Sequence, residues 1–459
     1  MIAHIGVFAM LKHFNKAHIF TAINQLLRAL FIVLIIVLVP LFLDKTEQGY
    51  WFSFMSLSAL MIIVDSGFSM IILQFAAHEF AFLHFNSVGK IEGDEHYLKR
   101  LGSFYFFCLK WSAGAAAVAL PLIAGVGILV MSSRPAETDW MTPWLLYVVG
   151  STFTFINSSQ LYFFEGCDSV PKTQKIRAIV NIVMITVLCI SLLSGLKLYS
   201  LTTSVLASSL MGFVLIRRGF GPTISSLYAN AKGFSHSWIK EFLPLLGRYS
   251  LSWASGYLIF QMYTPLMFHF YGPVEAGKMG ISITLWTGVL TLSNVWLYVA
   301  TPKMNIHISQ KKWFELDQIF FKSLAFSAIT FITGMVIVFL FFEIFRGHLA
   351  LVDRFLSPVS MLLLAGGWGL QLIVNGLAIY LRAHKEEPLV VPSVITAGYV
   401  IITTYLAARY LSPDYFFLGF FSSYLWGLPL IISIFKEKRK KGHLNEQRCN
   451  PAYHSYSDL

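Results

Sequence analysis

Three basic side chains lie within long apolar stretches of the sequence, where a charge is costly. Counted at the α-helical rise, Arg28 and Lys110 lie about 15 Å, and Arg248 about 10 Å, from the polar ends of their stretches. A base at the centre of a membrane helix costs about 2.5–3.5 kcal/mol on insertion scales, so each should face a cavity or a partner. Because guanidinium groups grip phosphate through paired hydrogen bonds, these bases predict a site for an anion such as a diphosphate. Asn24, one turn before Arg28, continues the same polar face.

Other roles for these charges stay open on the sequence alone. Arg248 lies near enough to a membrane surface to extend its charge into water. Two acids, Asp65 and Glu79, lie in the second apolar stretch, and Asp65 is the costlier to bury. They form either a proton or cation relay or structural contacts, and the candidate partners of Asp65 are Lys110 and Arg28. Of these, the sequence favours an ion pair or a helix-end contact.

No arrangement of residues is typical of catalysis or of a bound cofactor. The sequence contains no phosphate-cradling P-loop, no nucleophile motif and no cluster of histidines and acids at metal-ligand spacing. The four cysteines follow no metal-binding or redox spacing either. We therefore expect no enzyme activity, no metal site and no cofactor.

Composition indicates which elements hold these residues. Of 459 residues, 56% are hydrophobic and 12% charged, whereas soluble domains are about 25% charged. The apolar runs are continuous and reach the roughly 20 residues that a helix needs to cross a bilayer, without the alternation of barrel strands. The sequence therefore predicts an all-α polytopic membrane protein of about 12 transmembrane helices. These are expected near residues 18–43, 50–80, 102–131, 143–165, 177–195, 199–216, 241–270, 278–301, 319–345, 355–381, 390–409 and 414–435.

Basic residues recur in alternate loops between the predicted helices. With a cytoplasmic N-terminus, every cytoplasmic segment holds at least two Lys or Arg residues, whereas only one outer loop does. This pattern predicts that both termini are cytoplasmic. The net charge of +11 is explained by this topology, so we expect membrane lipids as partners and no nucleic acid.

A short pattern recurs in the two halves of the chain. Glu47-Gln-Gly49 leads into the second predicted helix, and Glu275-Ala-Gly277 leads into the eighth. Transporters are often built from two such related halves. The basic tail is expected to be disordered. The predicted divisions are a six-helix bundle over 1–217, a cytoplasmic linker over 218–240, a second six-helix bundle over 241–435 and a basic cytoplasmic tail over 436–459.

Several stretches resemble one transporter family. Gly49-Tyr-Trp and Val64-Asp-Ser-Gly67-Phe-Ser look like the second helix of bacterial polysaccharide flippases. Phe270-Tyr-Gly-Pro-Val-Glu-Ala-Gly277 and Ala300-Thr-Pro302 look like the matching part of their second half. These are the O-antigen repeat-unit flippases of the multidrug/oligosaccharidyl-lipid/polysaccharide (MOP) exporter superfamily, and the resemblance in length and helix number covers essentially the whole chain.

The resemblance implies a V-shaped pair of six-helix bundles that works as a monomer by alternating access across the bacterial inner membrane. Its substrate would be an oligosaccharide on undecaprenyl diphosphate, delivered outward to the polymerase and chain-length regulator of lipopolysaccharide biosynthesis. Basic residues in a central cavity would hold the diphosphate, in agreement with Arg28 and Arg248. One departure is Gln261, where many relatives carry an acid late in the seventh helix, and this puts cation coupling through that helix in doubt.

Three other functions compete with this hypothesis. A cation-coupled multidrug antiporter of the same superfamily would use acids in its cavity, whereas the membrane centre here is at least as basic. A lipid II flippase usually carries two further helices. A membrane polymerase or acyltransferase of the same pathway would need a long outer loop, and the longest here spans about residues 132–142. The flippase is therefore the leading hypothesis, and the antiporter is the alternative.

Overall fold

Helices stand at all twelve positions expected from the apolar runs. The computed structural model describes residues 16–135, 138–232, 234, 236–383 and 388–449, except for some side chains within these ranges. Within them, nine helices are long and apolar enough to cross a membrane, or ten when one bent pair is counted as a span. The chain is therefore an all-α multi-span membrane protein, as the sequence predicts, with nine or ten candidate spans among the described residues where the sequence predicts about 12.

The N-terminal part of the chain also contains a short antiparallel hairpin that pairs Leu83 with Gly93. Its elements are α1 (Lys16–Phe42), α2 (Lys45–Ser58), α3 (Met61–Asp65), α4 (Phe68–Phe80), β1 (Leu83–Phe85), β2 (Ile91–Gly93), α5 (Glu95–Met131), α6 (Met141–Gly166), α7 (Val170–Leu193), α8 (Tyr199–Ala231) and α9 (Trp238–Phe260).

The C-terminal part of the chain is helical, with single 3₁₀ turns at Val352–Arg354 and Pro413–Tyr415. Its helices are α10 (Tyr263–Tyr271), α11 (Pro273–Ser309), α12 (Trp313–Phe345), α13 (Pro358–Ala383), α14 (Val390–Tyr410) and α15 (Leu418–Cys449).

The chain divides into two compact units after Tyr257, inside the predicted seventh helix. Residues 218–231, expected in a linker, instead continue helix α8. Most of α9 belongs to the N-terminal unit, because its aromatic side chains pack there. The ring of Phe242 lies 5.0 Å from that of Phe68, and Trp238 donates from Nε1 to Ser103 Oγ over 3.1 Å.

The second and seventh predicted helices are both broken. The second breaks at Ser66 and Gly67, whose φ angles of 46° and 78° are left-handed, and the chain bends there by 41°. A Cβ at Gly67 would also lie 2.8 Å from the Tyr249 Cβ and 2.9 Å from the Trp253 Nε1. Glycine is required at this position because its φ is positive and α9 approaches its backbone closely. The seventh helix breaks between α9 and α10.

The basic tail differs from the sequence prediction, which expected disorder. Helix α15 continues to Cys449. Arg439 donates from Nε to Asp317 Oδ2 over 2.6 Å, and the ring of Phe435 lies 4.9 Å from that of Tyr380. The ion pair and the aromatic packing hold the start of the tail against α12 and α13, and this explains why the prediction of disorder was wrong for this segment.

Candidate functional site

A cavity of about 520 Å³ lies within the N-terminal unit, among helices α3, α4, α6, α7, α8 and α9. This volume is within the roughly 300–1,000 Å³ that is usual for small-molecule sites. The lining combines hydroxyl groups, an amide, aromatic rings and one carboxylate. Its residues are Met61, Ile62, Asp65, Ser69, Met70, Tyr147, Ser151, Thr154, Phe155, Ser158, Tyr162, Val180, Asn181, Met184, Val205, Ser208 and Trp253.

The break in the second predicted helix places Asp65 on this cavity. Asp65 ends α3, and after Ser66 and Gly67 the chain begins α4 in a new direction. One carboxylate oxygen of Asp65, Oδ1, accepts from Ser69 Oγ over 2.6 Å and from the Ser69 backbone N–H over 3.3 Å. An acid beside a helix N-terminus is stabilised by the free N–H groups and by the helix dipole. The Gly67 backbone N–H is a further donor to this carboxylate, and Ser69 is the one side chain that donates to it among the described residues.

Asn181, on the α7 side of the cavity, is oriented by a network of polar side chains. Its Nδ2 donates to Asn24 Oδ1 over 3.1 Å. Asn24 in turn donates from Nδ2 to the backbone oxygen and to the Oε1 of Gln174, over 2.9 Å each. Gln174 donates to Glu165 Oε1 over 2.9 Å, and Arg177 pairs with the same carboxylate at 3.3 Å. Asn24 is therefore a buried structural link from α1 to α7 and to the cavity wall.

Arg28 is exposed, although it lies on the packed side of α1. At 3.6 residues per turn, Arg28 is within about 40° of Asn24, Ile35 and Val39, which are all buried. It makes no ion pair with a described residue. Its guanidinium is thus accessible on the same side of α1 as these buried residues. The exposed apolar residues of α1 on the opposite side include Leu26, Leu30, Val33, Val37 and Leu41.

Lys110 lies on the outward side of α5. It is exposed, and at 3.6 residues per turn it is about 140–180° from the buried residues Leu101, Tyr105 and Ser112. It makes no ion pair with a described residue, so the suggested pair with Asp65 is not seen. Arg248 lies in α9, but its side chain is outside the described residues.

Glu79 is a partner in a structural ion pair. Its two oxygens accept from Arg100 Nε over 2.9 and 3.0 Å, and Oε1 also accepts from Arg100 Nη2 over 2.7 Å. The guanidinium carbon of Arg100 lies 4.9 Å from the centre of the Trp238 ring. The structure therefore separates the two acids: Asp65 lines the cavity, whereas Glu79 binds Arg100 in the way that the ion-pair alternative predicts.

The cavity contains residues that the sequence reasoning did not select. Ser151, Thr154 and Ser158 lie at spacings of three and four residues on α6, so they share one helix face. A search for polar stripes in the apolar runs would have found this signal. Trp253 and Asn181 gave no such signal, because they reach the cavity only through the packing of α9 and α7.

Solved transporter structures share this fold at low sequence identity. The lipid II flippase MurJ, in an inward closed conformation, matches with a TM-score of 0.63 and 14% identity over 94% of this chain and 90% of its own. The MATE multidrug transporter DinF-BH, in complex with R6G, matches with a TM-score of 0.59 and 12% identity over 92% and 94%. An inward-facing multidrug resistance MATE family transporter of the MOP superfamily matches with a TM-score of 0.58 and 13% identity over 92% and 99%.

Sequence comparison does not assign the chain to a protein family. No protein-family profile matches the chain, and no curated protein matches it. At identities of 12–14% the structural likeness concerns the fold alone. The chain therefore has the fold of MOP-superfamily transporters.

Proposed function

We propose that this protein is a flippase that moves undecaprenyl-diphosphate-linked oligosaccharide repeat units across the bacterial inner membrane by alternating access. The observation that carries the proposal is Arg28, which is exposed on the packed side of a membrane helix without a described acidic partner. Such a base is costly unless it meets water or an anion, and its planar guanidinium fits a phosphate. The proposal includes cytoplasmic termini, a monomeric carrier, and delivery to the pathway polymerase and chain-length regulator.

The cavity of the N-terminal unit supports a sugar-bearing substrate. Ser151, Thr154, Ser158 and Asn181 offer hydroxyl and amide groups at the cavity wall, which suit the hydroxyl groups of a saccharide. Trp253 adds an aromatic surface that is 41% exposed. An anion-binding arginine and a separate polar cavity match the two chemical parts of a lipid-linked oligosaccharide.

A cation-coupled drug antiporter is the second candidate, and one observation favours it. Asp65 is the only charged residue in the lining of this cavity within the described chain, and Tyr147, Tyr162 and Trp253 contribute aromatic rings to the same lining. A carboxylate among aromatic rings suits an organic cation. This function predicts that Asp65, and not Arg28, is essential for transport.

Complementation separates the two functions. A bacterium that lacks its own repeat-unit flippase would receive the cognate repeat-unit pathway together with wild type, Arg28→Ala, Arg28→Lys or Arg218→Ala at matched membrane levels. Arg218 is an exposed base on α8, so its variant is the matched control. We expect wild type and Arg218→Ala to restore surface polysaccharide, Arg28→Lys to restore it in part, and Arg28→Ala to leave the lipid-linked unit in the cell.

Two results would contradict the proposal in different ways. Full activity of Arg28→Ala would remove Arg28 from the site while the transport function stands. Failure of wild type to export the cognate unit, combined with efflux of rhodamine 6G that requires Asp65, would favour the antiporter.

A further inference from the structure

We propose that the Asp65 cavity binds a neutral part of the saccharide and rejects acidic sugars such as uronic acids. The inference rests on the proposed flippase function and names the class of sugar that its cavity accepts. The inference depends on which hydrogen-bonding groups in the cavity wall are left for a ligand. The contacts of Asp65 and Asn181 with other protein residues show which groups these are.

Asp65 presents a carboxylate oxygen whose direction is fixed. Ser69 donates twice to Oδ1, over 2.6 Å from its hydroxyl and 3.3 Å from its backbone N–H. The Gly67 backbone N–H is the other donor to this carboxylate, and because a carboxylate has about four lone-pair sites, Asp65 keeps acceptor capacity toward the cavity. A carboxylate accepts strong hydrogen bonds from hydroxyl groups, so Asp65 suits a sugar that donates.

Asn181 is an acceptor in the cavity for an independent reason. Its Nδ2 is directed to Asn24 Oδ1 over 3.1 Å. The amide nitrogen of Asn24 donates to Gln174, so the Asn24 atom that faces Asn181 is its oxygen, which accepts. The network therefore orients the Asn181 amide so that its Oδ1 is left as an acceptor for a ligand, together with the second N–H of Nδ2. Two walls of the cavity, from α3 and α7, thus both present acceptors.

Several lining hydroxyls are also committed as donors. Thr154 Oγ1 donates to Gly150 O over 3.0 Å, Ser208 Oγ donates to Val205 O over 3.0 Å, and Ser69 donates to Asp65. Their remaining lone pairs can only accept. Acceptors are therefore prominent in the cavity, its further donors are neutral groups such as those of Ser158, Tyr162 and Trp253, and its lining contains no Lys, Arg or His within the described chain.

An acidic sugar does not complement such a cavity. A uronate carboxylate is itself an acceptor without a proton to donate, and it would meet the negative charge of Asp65 where the protein weakens solvent screening. Neutral hexoses and N-acetylated sugars supply O–H and N–H donors. Trp253 offers an apolar ring face beside these acceptors, to which the carbon face of a sugar can pack.

The test compares two lipid-linked units that differ at one carbon. The flippase-deficient host would produce undecaprenyl-diphosphate disaccharides that carry N-acetylglucosamine followed by either galactose or galacturonic acid. Outward movement would be measured by labelling of the exposed disaccharide in intact cells. The proteins are wild type, Asp65→Asn, which keeps the shape and an acceptor for Ser69, and Asp168→Asn, which changes an exposed acid outside the cavity.

We expect wild type and Asp168→Asn to move the galactose unit at least about tenfold faster than the galacturonate unit, because of like-charge repulsion. Asp65→Asn should retain galactose transport and reduce this ratio to near one. Equal transport of both units by wild type would overturn the cavity assignment while flippase function stands. If Asp65→Asn alone transports neither unit, the cavity assignment would be overturned in favour of a coupling role for Asp65. Movement of neither unit by wild type, even with its cognate repeat unit, would overturn the flippase function itself.

Discussion

Asn24 on α1 donates two hydrogen bonds of 2.9 Å to Gln174 on α7, one to its backbone oxygen and one to its side chain. Much of the remaining surface of α1 is exposed and apolar, and it consists largely of leucine and valine side chains. The Asn24 amide is therefore a principal polar link between α1 and the unit, one turn from the accessible Arg28.

This link predicts that Asn24→Ala destabilises the N-terminal unit. Its loss removes the donor to the Gln174 side-chain and backbone oxygens and the acceptor of the Asn181 Nδ2. Interhelical hydrogen bonds in membranes contribute about 0.6 kcal/mol on average and up to about 1.7 kcal/mol. We expect a loss of about 1–2 kcal/mol for the three bonds together, measured by unfolding in mixed micelles. Asn230→Ala is the control, because among the described residues the Asn230 side chain bonds only to Ser226 on its own helix. Equal losses in the two variants would contradict the interhelical role of Asn24.

The bidentate pair of Glu79 and Arg100 predicts a structural role for Glu79. Glu79→Gln should lower the free energy of unfolding by about 1–3 kcal/mol, between the values for surface and buried pairs, because the Glu79 side chain is 9% and that of Arg100 21% exposed. Transport per folded molecule should stay near that of wild type. The exposed pair of Glu95 and Lys99 provides the control variant Glu95→Gln, for which little change is expected. A transport defect of Glu79→Gln without loss of stability would instead support a proton or cation relay.

The close approach of α9 to Gly67 predicts a large effect of Gly67→Ala. A left-handed φ costs a non-glycine residue about 1–2 kcal/mol, and the added Cβ would clash with Tyr249 and Trp253. We expect reduced stability and reduced transport, measured by thermal unfolding in detergent and by complementation. Gly114→Ala on α5 meets no atom within 4 Å and should be neutral or stabilising by up to about 1 kcal/mol. Wild-type behaviour of Gly67→Ala would show that α9 can move away from this turn without loss.

The contact between Arg439 and Asp317 predicts that the tail helix is held by this pair. Arg439→Ala should expose the tail to trypsin and raise the rate of cleavage at Lys438 and Lys440, since opening of the tail would become more frequent. The side chain of Asp317 is 7% exposed and that of Arg439 41%, so this half-buried pair contributes on the order of 1 kcal/mol, and a several-fold faster cleavage is expected. Lys436→Ala removes an exposed charge from the same helix and should leave the rate unchanged. The same rate in both variants would show that aromatic packing alone holds the tail.

The sequence by itself determined the class of the protein and the position of each helix. A run of apolar residues long enough to cross a bilayer is a local property, so it can be read without knowledge of packing. The helix ends were less accurate: α8 and α15 extend well beyond their apolar runs, because polar residues continue a helix when its surface packs against neighbours. The hairpin at Leu83–Phe85 and Ile91–Gly93 is too short to have a clear pattern in the sequence.

Only the tertiary structure decided which contacts the described candidate residues make. The sequence left the same two alternatives open for Asp65 and Glu79, yet Arg100 binds Glu79, while the break at Gly67 leaves Asp65 on a cavity. Arg28 and Lys110 were likewise equivalent until the rotation of α1 and α5 placed one on a packed side and the other outward. The physical reason is that a side chain's partners come from other helices, and the packing that selects them depends on the whole fold rather than on any local segment.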